Sequence, residues 1–119
     1  TAELQAEMDQ RLLSALTHYA SLFENWDALN ESLNGSYFNS RLGDAIIPWV
    51  YQRAHEIDPS VKLFTNEYQI LEGFKADDYV RHIQWIQFQG GHVDGVGVQA
   101  HLPGVVEPFT ILSRLDELS

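Results

Sequence analysis

The sequence predicts an α/β fold in which amphipathic helices alternate with short strands that run parallel to one another. Apolar residues recur at steps of three and four in four separate segments, and three short runs with strand character lie between these segments. No linker or low-complexity tract interrupts the order helix–strand–helix–strand–helix–strand–helix. Alternation of this kind implies right-handed crossovers and therefore a parallel sheet.

The first half of the chain contains two predicted helices and one predicted strand. A continuous apolar face predicts a helix from Ala2 to Phe23, and a short strand-like run from Asn25 to Glu31 follows it. A second helical pattern extends from about Arg41 to Ile57. Pro48 lies inside this pattern and predicts either a kink or a late start of the helix.

The second half contains two predicted strands, each followed by a helix. The run from Val61 to Tyr68 is predicted to be a strand, and Ala76 to Gln89 a helix that two glycines end. Val93 to His101 is the third predicted strand. After a Pro-Gly turn, Glu107 to Leu118 has the pattern of the beginning of another helix.

The composition excludes several classes of protein. The 119 residues are 45% hydrophobic, which fits one ordinary domain and not a disordered chain. No apolar run approaches the length of a membrane span. Seven Lys and Arg against 17 acidic residues give a net charge of −10, which argues against nucleic acid and against an anionic membrane surface. The absence of cysteine excludes disulfides and thiolate chemistry.

Polar side chains recur at the ends of the three predicted strands. Asn30 and Glu31 end the first strand, and the equivalent pairs are Asn66 with Tyr68 and Gln99 with His101. The spacings of 36 and 33 residues from Asn30 to Asn66 and on to Gln99 are those of one strand, one helix and two loops. Because parallel strands point the same way, we expect these six side chains to meet at one rim of the sheet, where functional groups collect in α/β folds.

The chemistry of this rim suits a polyol or carbohydrate. A partly desolvated Glu31 has the properties of an acid near neutral pH, and three amide side chains offer donors and acceptors for hydroxyl groups. Tyr68 offers a ring face, and His101 can hold a proton. A phosphate ligand fits less well, since cations are scarce and no glycine-rich phosphate loop precedes a helix. We expect no cofactor.

Three other interpretations remain open on the residues alone. A polar residue at a strand end often serves only to cap a loop or the next helix. A 34-residue all-helical repeat is a second possibility, although the run from Val93 to Val98 does not suit a helix. A metal site formed by His92, Asp94 and His101 is a third, but it requires one shared face and a fourth ligand, so no metal is predicted.

Four segments, in order, resemble the motifs of one known family. The segment W-D-A-L-N-E at 26–31 resembles W-D-V-V-N-E, and A-H-E-I-D-P at 54–59 resembles A-H-E-A-D-P. K-L-F-T-N-E-Y-Q at 62–69 resembles K-L-Y-I-N-D-Y-N, and residues 89–102 resemble Q-G-x-x-I-D-G-I-G-x-Q-x-H-L. These are motifs of the family 10 glycoside hydrolases, the endo-β-1,4-xylanases. The resemblance covers nearly the whole chain.

The resemblance implies a segment of a (β/α)8 TIM barrel that hydrolyses xylan with retention of configuration. Residues 1–119 would be a partial catalytic domain of about three βα units, carrying strands four to six of a fold that usually needs about 250 residues. Glu31 would be the general acid/base, and Asn30 would bind the 2-hydroxyl of the sugar being attacked. Substrate would be xylan or xylooligosaccharides, and secretion is expected from the family's polymeric substrate.

The resemblance also assigns roles to the other rim residues. Gln99 and His101 would line the floor of the site and orient the nucleophile, and Asn66 and Tyr68 would lie on the leaving-group side. Glu67 and Gln69 stand where the family usually has aspartate and asparagine, and these changes are expected to alter that same side but not the core chemistry.

One essential group of the family is not found among these residues. The family nucleophile lies in an I-T-E-L-D-like motif on a later strand, and the 119 residues contain no such motif. We therefore expect a xylanase in which this chain supplies the acid/base, with the isolated chain inactive. The alternative is a non-hydrolytic carbohydrate-binding or assembly module derived from the same barrel. Either way, exposed sheet edges predict contact with the remainder of the barrel or self-association.

Overall fold

The computed structural model describes residues 1–119 and contains five helices and three strands. In chain order these are α1 (Ala2–His18), β1 (Asn25–Asp27), α2 (Asn39–Leu42), α3 (Ile46–Ile57), β2 (Lys62–Glu67), α4 (Ala76–Phe88), β3 (Gly95–Val98) and α5 (Pro108–Leu118). None of the helices is long and apolar enough to cross a membrane.

The three strands form one parallel sheet in the order β1-β2-β3, which confirms the predicted α/β fold with parallel strands. Trp26 of β1 is the partner of Leu63 in β2, and Asn66 of β2 is the partner of Gly97 in β3. Because both strand pairs are parallel, the carboxyl ends of all three strands lie at the same edge. This edge is called the rim below.

All three strands are shorter than the predicted runs, β2 by only one residue at each end. β1 ends at Asp27 and not near Glu31, and β3 covers only Gly95–Val98 of the predicted 93–101. Single backbone hydrogen bonds continue beyond both ends: the Glu31 amide donates to the Asn66 carbonyl at 2.9 Å, and the Gln99 amide donates to the Glu67 carbonyl at 2.8 Å. The candidate residues therefore stay attached to the sheet although they lie in loops.

The helices also differ from the predictions at two points. The pattern from Arg41 to Ile57 forms two helices, because Gly43 adopts a φ of 84° that ends α2. α3 then begins at Ile46 and accommodates Pro48 in its first turn, so the late start is the correct alternative. α1 ends at His18 and not at Phe23, and Ser21 in the following turn has a left-handed φ of 65°.

The core lies between the helices and the sheet. β2 places alternate residues in it, because Leu63, Thr65 and Glu67 are all buried while Lys62 is exposed. The main apolar cluster contains residues of α1, α3, α4 and β2 and the residue before β2, namely Leu16, Ile46, Ile47, Tyr51, Ala54, Val61, Leu63 and Ile86. A second cluster lies under the loop after β2, with Ile70, Ala76, Tyr79 and Ile83.

Candidate functional site

The rim carries an open groove of about 790 Å3, formed by the loops that follow the three strands. Four of the six predicted site residues line it: Glu31, Tyr68, Gln99 and His101. The other wall consists of Gln69, Glu72, Gly73, Phe74, Lys75 and Pro103. A smaller cleft of about 140 Å3 lies on the other side of Glu31 and is lined in part by Asn30. Glu31 is the only residue shared by the two cavities.

Glu31 is held at the centre of the rim by both its backbone and its side chain. Its Oε1 accepts a hydrogen bond from Gln99 Nε2 at 2.9 Å, and its amide donates to the Asn66 carbonyl. Its φ of 58° turns the chain sharply away from the sheet. Gly35 packs on the Glu31 carbonyl oxygen, since its amide donates to that atom at 2.7 Å and an added Cβ would lie only 2.8 Å away.

The loop after β2 repeats this construction. Gln69 has a φ of 61°, and a Cβ added at Gly73 would lie 2.4 Å from the Gln69 carbonyl oxygen. In both loops a left-handed residue is therefore followed, four positions later, by a glycine that must approach its carbonyl closely. This shared backbone arrangement was not predicted from the sequence.

The two predicted asparagines also meet. Asn66 Nδ2 donates to Asn30 Oδ1 at 2.9 Å, so one amide joins the ends of β1 and β2. Tyr68 and His101 line the groove, and their side chains make no hydrogen bond within the chain. The structure thus brings together Glu31 with Gln99 and Asn30 with Asn66, and places Tyr68 and His101 along the same groove.

Gln69 lines the groove, but Glu67 does not. The side chain is completely buried, because it continues the inward-facing series of alternate residues in β2. Its oxygens accept hydrogen bonds from four donors in the two rim loops: Leu33 N at 3.0 Å, Asn34 N at 3.2 Å, Asn34 Nδ2 at 2.7 Å and Tyr68 N at 3.0 Å. The charge at a core-facing strand position was the signal available in the sequence.

Sequence reasoning missed two charged residues of the groove. Lys75 contacts Asn34 Oδ1 through Nζ and thereby links the two rim loops. Glu72 lines the groove, and its Oε2 is inaccessible and has no hydrogen-bond partner. Both residues lie in an irregular loop, where no periodicity indicates which way a side chain points.

His92 and Asp94 lie away from the rim. His92 Nε2 is 2.9 Å from Asp94 Oδ1, and Asp94 Oδ2 accepts the Leu63 amide at 2.8 Å near the beginning of β2. His101 follows the opposite end of β3, so the three residues of the metal interpretation are divided between the two ends of the sheet. No group of three or more His, Asp or Glu side chains has the geometry to hold a metal ion.

His82 is hydrogen-bonded to Ser32, the residue that follows Glu31, and its protonation predicts how the stability of the chain depends on pH. Ser32 Oγ lies 2.8 Å from His82 Nε2, and burial lowers the pKa of His82 below its ordinary 6.5, although the nearby Glu67 acts to raise it. The unfolded chain therefore takes up this proton at a higher pH than the folded chain does. The contribution of His82 to the free energy of unfolding is therefore complete above pH 6.5. It is lost as the pH falls through the lowered pKa of His82 in the folded chain.

We expect His82→Gln to remove this part of the pH dependence. The wild-type chain should lose more unfolding free energy than the variant between pH 7.5 and pH 5, so the difference between the two should shrink. Urea unfolding followed by circular dichroism across this range measures it. A constant difference between the two proteins would contradict the prediction.

The fold and rim together define the class of protein: a parallel α/β segment with a carboxylate at the carboxyl edge of its strands, surrounded by amide, phenol and imidazole groups. The family model for glycosyl hydrolase family 10 matches residues 1–117. The chain therefore belongs to glycosyl hydrolase family 10.

The similar proteins include xylanases and an anti-sigma factor. The chain is 43% identical over 116 residues to anti-sigma-I factor RsgI6 of Acetivibrio thermocellus and 34% identical over 122 residues to endo-1,4-beta-xylanase 2 of Arabidopsis thaliana. These alignments cover 98% and 99% of the chain. An intracellular xylanase from Thermoanaerobacterium saccharolyticum, solved with xylotriose, superimposes on 98% of the chain with a TM-score of 0.81 and 26% identity.

The matched proteins are much longer than this chain. It spans 15% of the anti-sigma factor, 11% of the Arabidopsis xylanase and 39% of the xylanase structure. The three parallel strands therefore correspond to part of a family 10 TIM barrel.

Proposed function

We propose that these residues are the acid/base portion of a retaining endo-β-1,4-xylanase and provide strands four to six of its barrel. The observation that supports this most directly is the position of Glu31, which borders two cavities on the rim and is held there by Gln99. A carboxyl group in such a position can reach a glycosidic oxygen whose two sugars occupy the two sides.

In this proposal each rim residue acts on a defined part of the substrate. Glu31 protonates the leaving glycosidic oxygen and then removes a proton from the attacking water. Asn30 binds the 2-hydroxyl of the sugar being attacked, and its Oδ1 is already fixed by Asn66. Gln99 and His101 lie on the floor, where the second carboxylate must approach to within about 5–5.5 Å of the first. Tyr68 offers its ring to the sugar that leaves.

A second candidate function is carbohydrate binding without hydrolysis. The 43% identity to a protein named as an anti-sigma-I factor supports it, since it exceeds the identity to any of the xylanases compared above. A rim of this kind can bind a glycan and report its presence to another part of the protein. The two functions differ in turnover and not in ligand.

The deciding experiment is to incubate the full-length protein with linear β-1,4-xylan and with xylohexaose. Release of reducing ends, with the β-anomer formed first in proton NMR spectra, supports a retaining xylanase. Binding of xylohexaose in calorimetry without release of reducing ends supports the second candidate. Absence of both contradicts both. The isolated 119-residue chain is the matched control, and we expect it to release no sugar because retaining hydrolysis needs two carboxyl groups.

A further inference from the structure

A completely buried carboxylate lies beneath the loop that carries Glu31. Glu67, the last residue of β2, has no exposed surface and accepts four hydrogen bonds. Three of the four donors belong to Leu33 and Asn34, which follow Glu31 by only two and three positions. Glu67 is therefore linked directly to the loop that presents the proposed acid.

The residue before Glu67 holds Glu31 itself. The Asn66 carbonyl accepts the Glu31 amide, so the end of β2 binds the loop at 31 and again at 33–34. Asn34 extends this link to the other side of the groove, because its Nδ2 also donates to the Tyr68 carbonyl at 3.1 Å and its Oδ1 contacts Lys75. The two rim loops are thus fixed to each other through Asn34 and Glu67.

This arrangement requires a carboxylate. Two oxygens of Glu67 receive four N–H groups, and an amide side chain would direct its own N–H2 group toward donors that need an acceptor. A buried charge is costly unless it is well hydrogen-bonded, and every partner of Glu67 is a backbone or amide donor of the rim loops. All four hydrogen bonds of the Glu67 side chain therefore fix the conformation of these two loops.

We infer that Glu67 is a positioning residue that holds the loop of Glu31 so that the carboxyl group of Glu31 points at the leaving oxygen. This inference rests on the proposed xylanase function. It predicts a defect specific to proton transfer: removing the charge of Glu67 should impair substrates that need an acid and spare substrates that do not.

The test measures how the full-length wild-type protein and its Glu67→Gln variant hydrolyse two aryl β-xylobiosides, one with a phenyl and one with a 2,4-dinitrophenyl leaving group. Phenol is a poor leaving group that requires protonation, whereas 2,4-dinitrophenolate leaves without it. The ratio kcat/KM reports the first bond cleavage for both. We expect kcat/KM for the phenyl substrate to fall by about 10- to 100-fold, because small displacements of catalytic groups cost up to about 100-fold. For the dinitrophenyl substrate we expect less than about a threefold fall, since no proton transfer is needed.

Asp94→Asn is the matched control. Asp94 also accepts a backbone amide of β2, that of Leu63, but it does so at the opposite end of the sheet from the rim. Loss of either carboxylate should lower the melting temperature, and only Glu67→Gln should change the ratio of the two substrates. Amide hydrogen exchange gives an independent measure, with faster exchange at Leu33 and Asn34 in Glu67→Gln alone.

Each outcome decides the matter. A selective loss on the phenyl substrate, together with faster exchange at the two amides, supports the positioning role. Equal losses on both substrates overturn it, as does unchanged exchange. If Glu67→Gln does not fold, Asn34→Ala, which removes the Nδ2 donor from Glu67 Oε1, must show the selective loss or the role is rejected. A wild-type protein that cleaves neither substrate overturns the proposed xylanase function itself, and the inference with it.

Discussion

If the proposed xylanase function is correct, replacing Glu31 by glutamine should lower kcat/KM for xylan by about 100- to 10,000-fold, the range that a positioned general acid contributes. The substitution removes the transferable proton and little else, because an amide oxygen at position 31 can still accept the hydrogen bond from Gln99. The initial rate of reducing-end release from xylan by the full-length protein measures the effect. Binding of xylohexaose should stay within a few fold of wild type.

Glu72→Gln is the control for this prediction. Glu72 is the other carboxylate that lines the groove, so the two variants remove the same charge from the same cavity. We expect Glu72→Gln to retain most of the activity. Glu72 does not line the smaller cleft, which would hold the sugar on the other side of the cleaved bond. A loss as large as that of Glu31→Gln would mean that the negative charge of the groove, and not proton transfer by Glu31, determines the rate.

Replacing Leu63 by alanine destabilises the folded chain by about 2–5 kcal/mol, the cost of removing a large apolar side chain from a packed core. Leu63 is completely buried in the central strand and belongs to the main apolar cluster, which joins α1, α3 and α4 to the sheet. The cavity would lie where these elements meet, and neighbouring side chains have little freedom to fill it. Urea unfolding of the variant against the wild type measures the change.

Lys62→Ala is the control for the stability prediction. Lys62 is next to Leu63 in the same strand but faces the opposite side and is exposed. Its loss should change the unfolding free energy by less than about 0.5 kcal/mol, as is usual for surface positions. Similar losses in the two variants would indicate that β2 is not packed on the helices as described.

The order of elements and the location of the rim could be predicted from the sequence because both follow from local patterns. Apolar residues at helical spacing identified α4, and the similar spacing of Asn30, Asn66 and Gln99 placed them at equivalent ends of parallel strands. The parallel sheet then brought these ends together. A pattern with a fixed period carries this information over long distances along the chain.

The pairings within the rim could not be predicted. The hydrogen bond from Gln99 to Glu31 joins residues 68 positions apart and depends on the combined register of three strands. The left-handed backbone at Glu31 depends on the close approach of Gly35, a tertiary constraint that has no periodic signal. The environment of Glu67 could be predicted only in part. Alternation in β2 indicates that its side chain faces inward, but its four hydrogen-bond donors come from irregular loops.

The loops after β1 and β2 share one backbone arrangement. In each, a residue with a left-handed φ is followed, four positions later, by a glycine that packs on its carbonyl oxygen. Glu31 and Gln69 consequently occupy corresponding places in consecutive βα units, one a carboxylic acid and the other an amide. The same left-handed backbone conformation thus occurs twice at the rim, and both side chains line the same groove. Consecutive units of the sheet therefore carry different polar groups to one groove on a common backbone conformation.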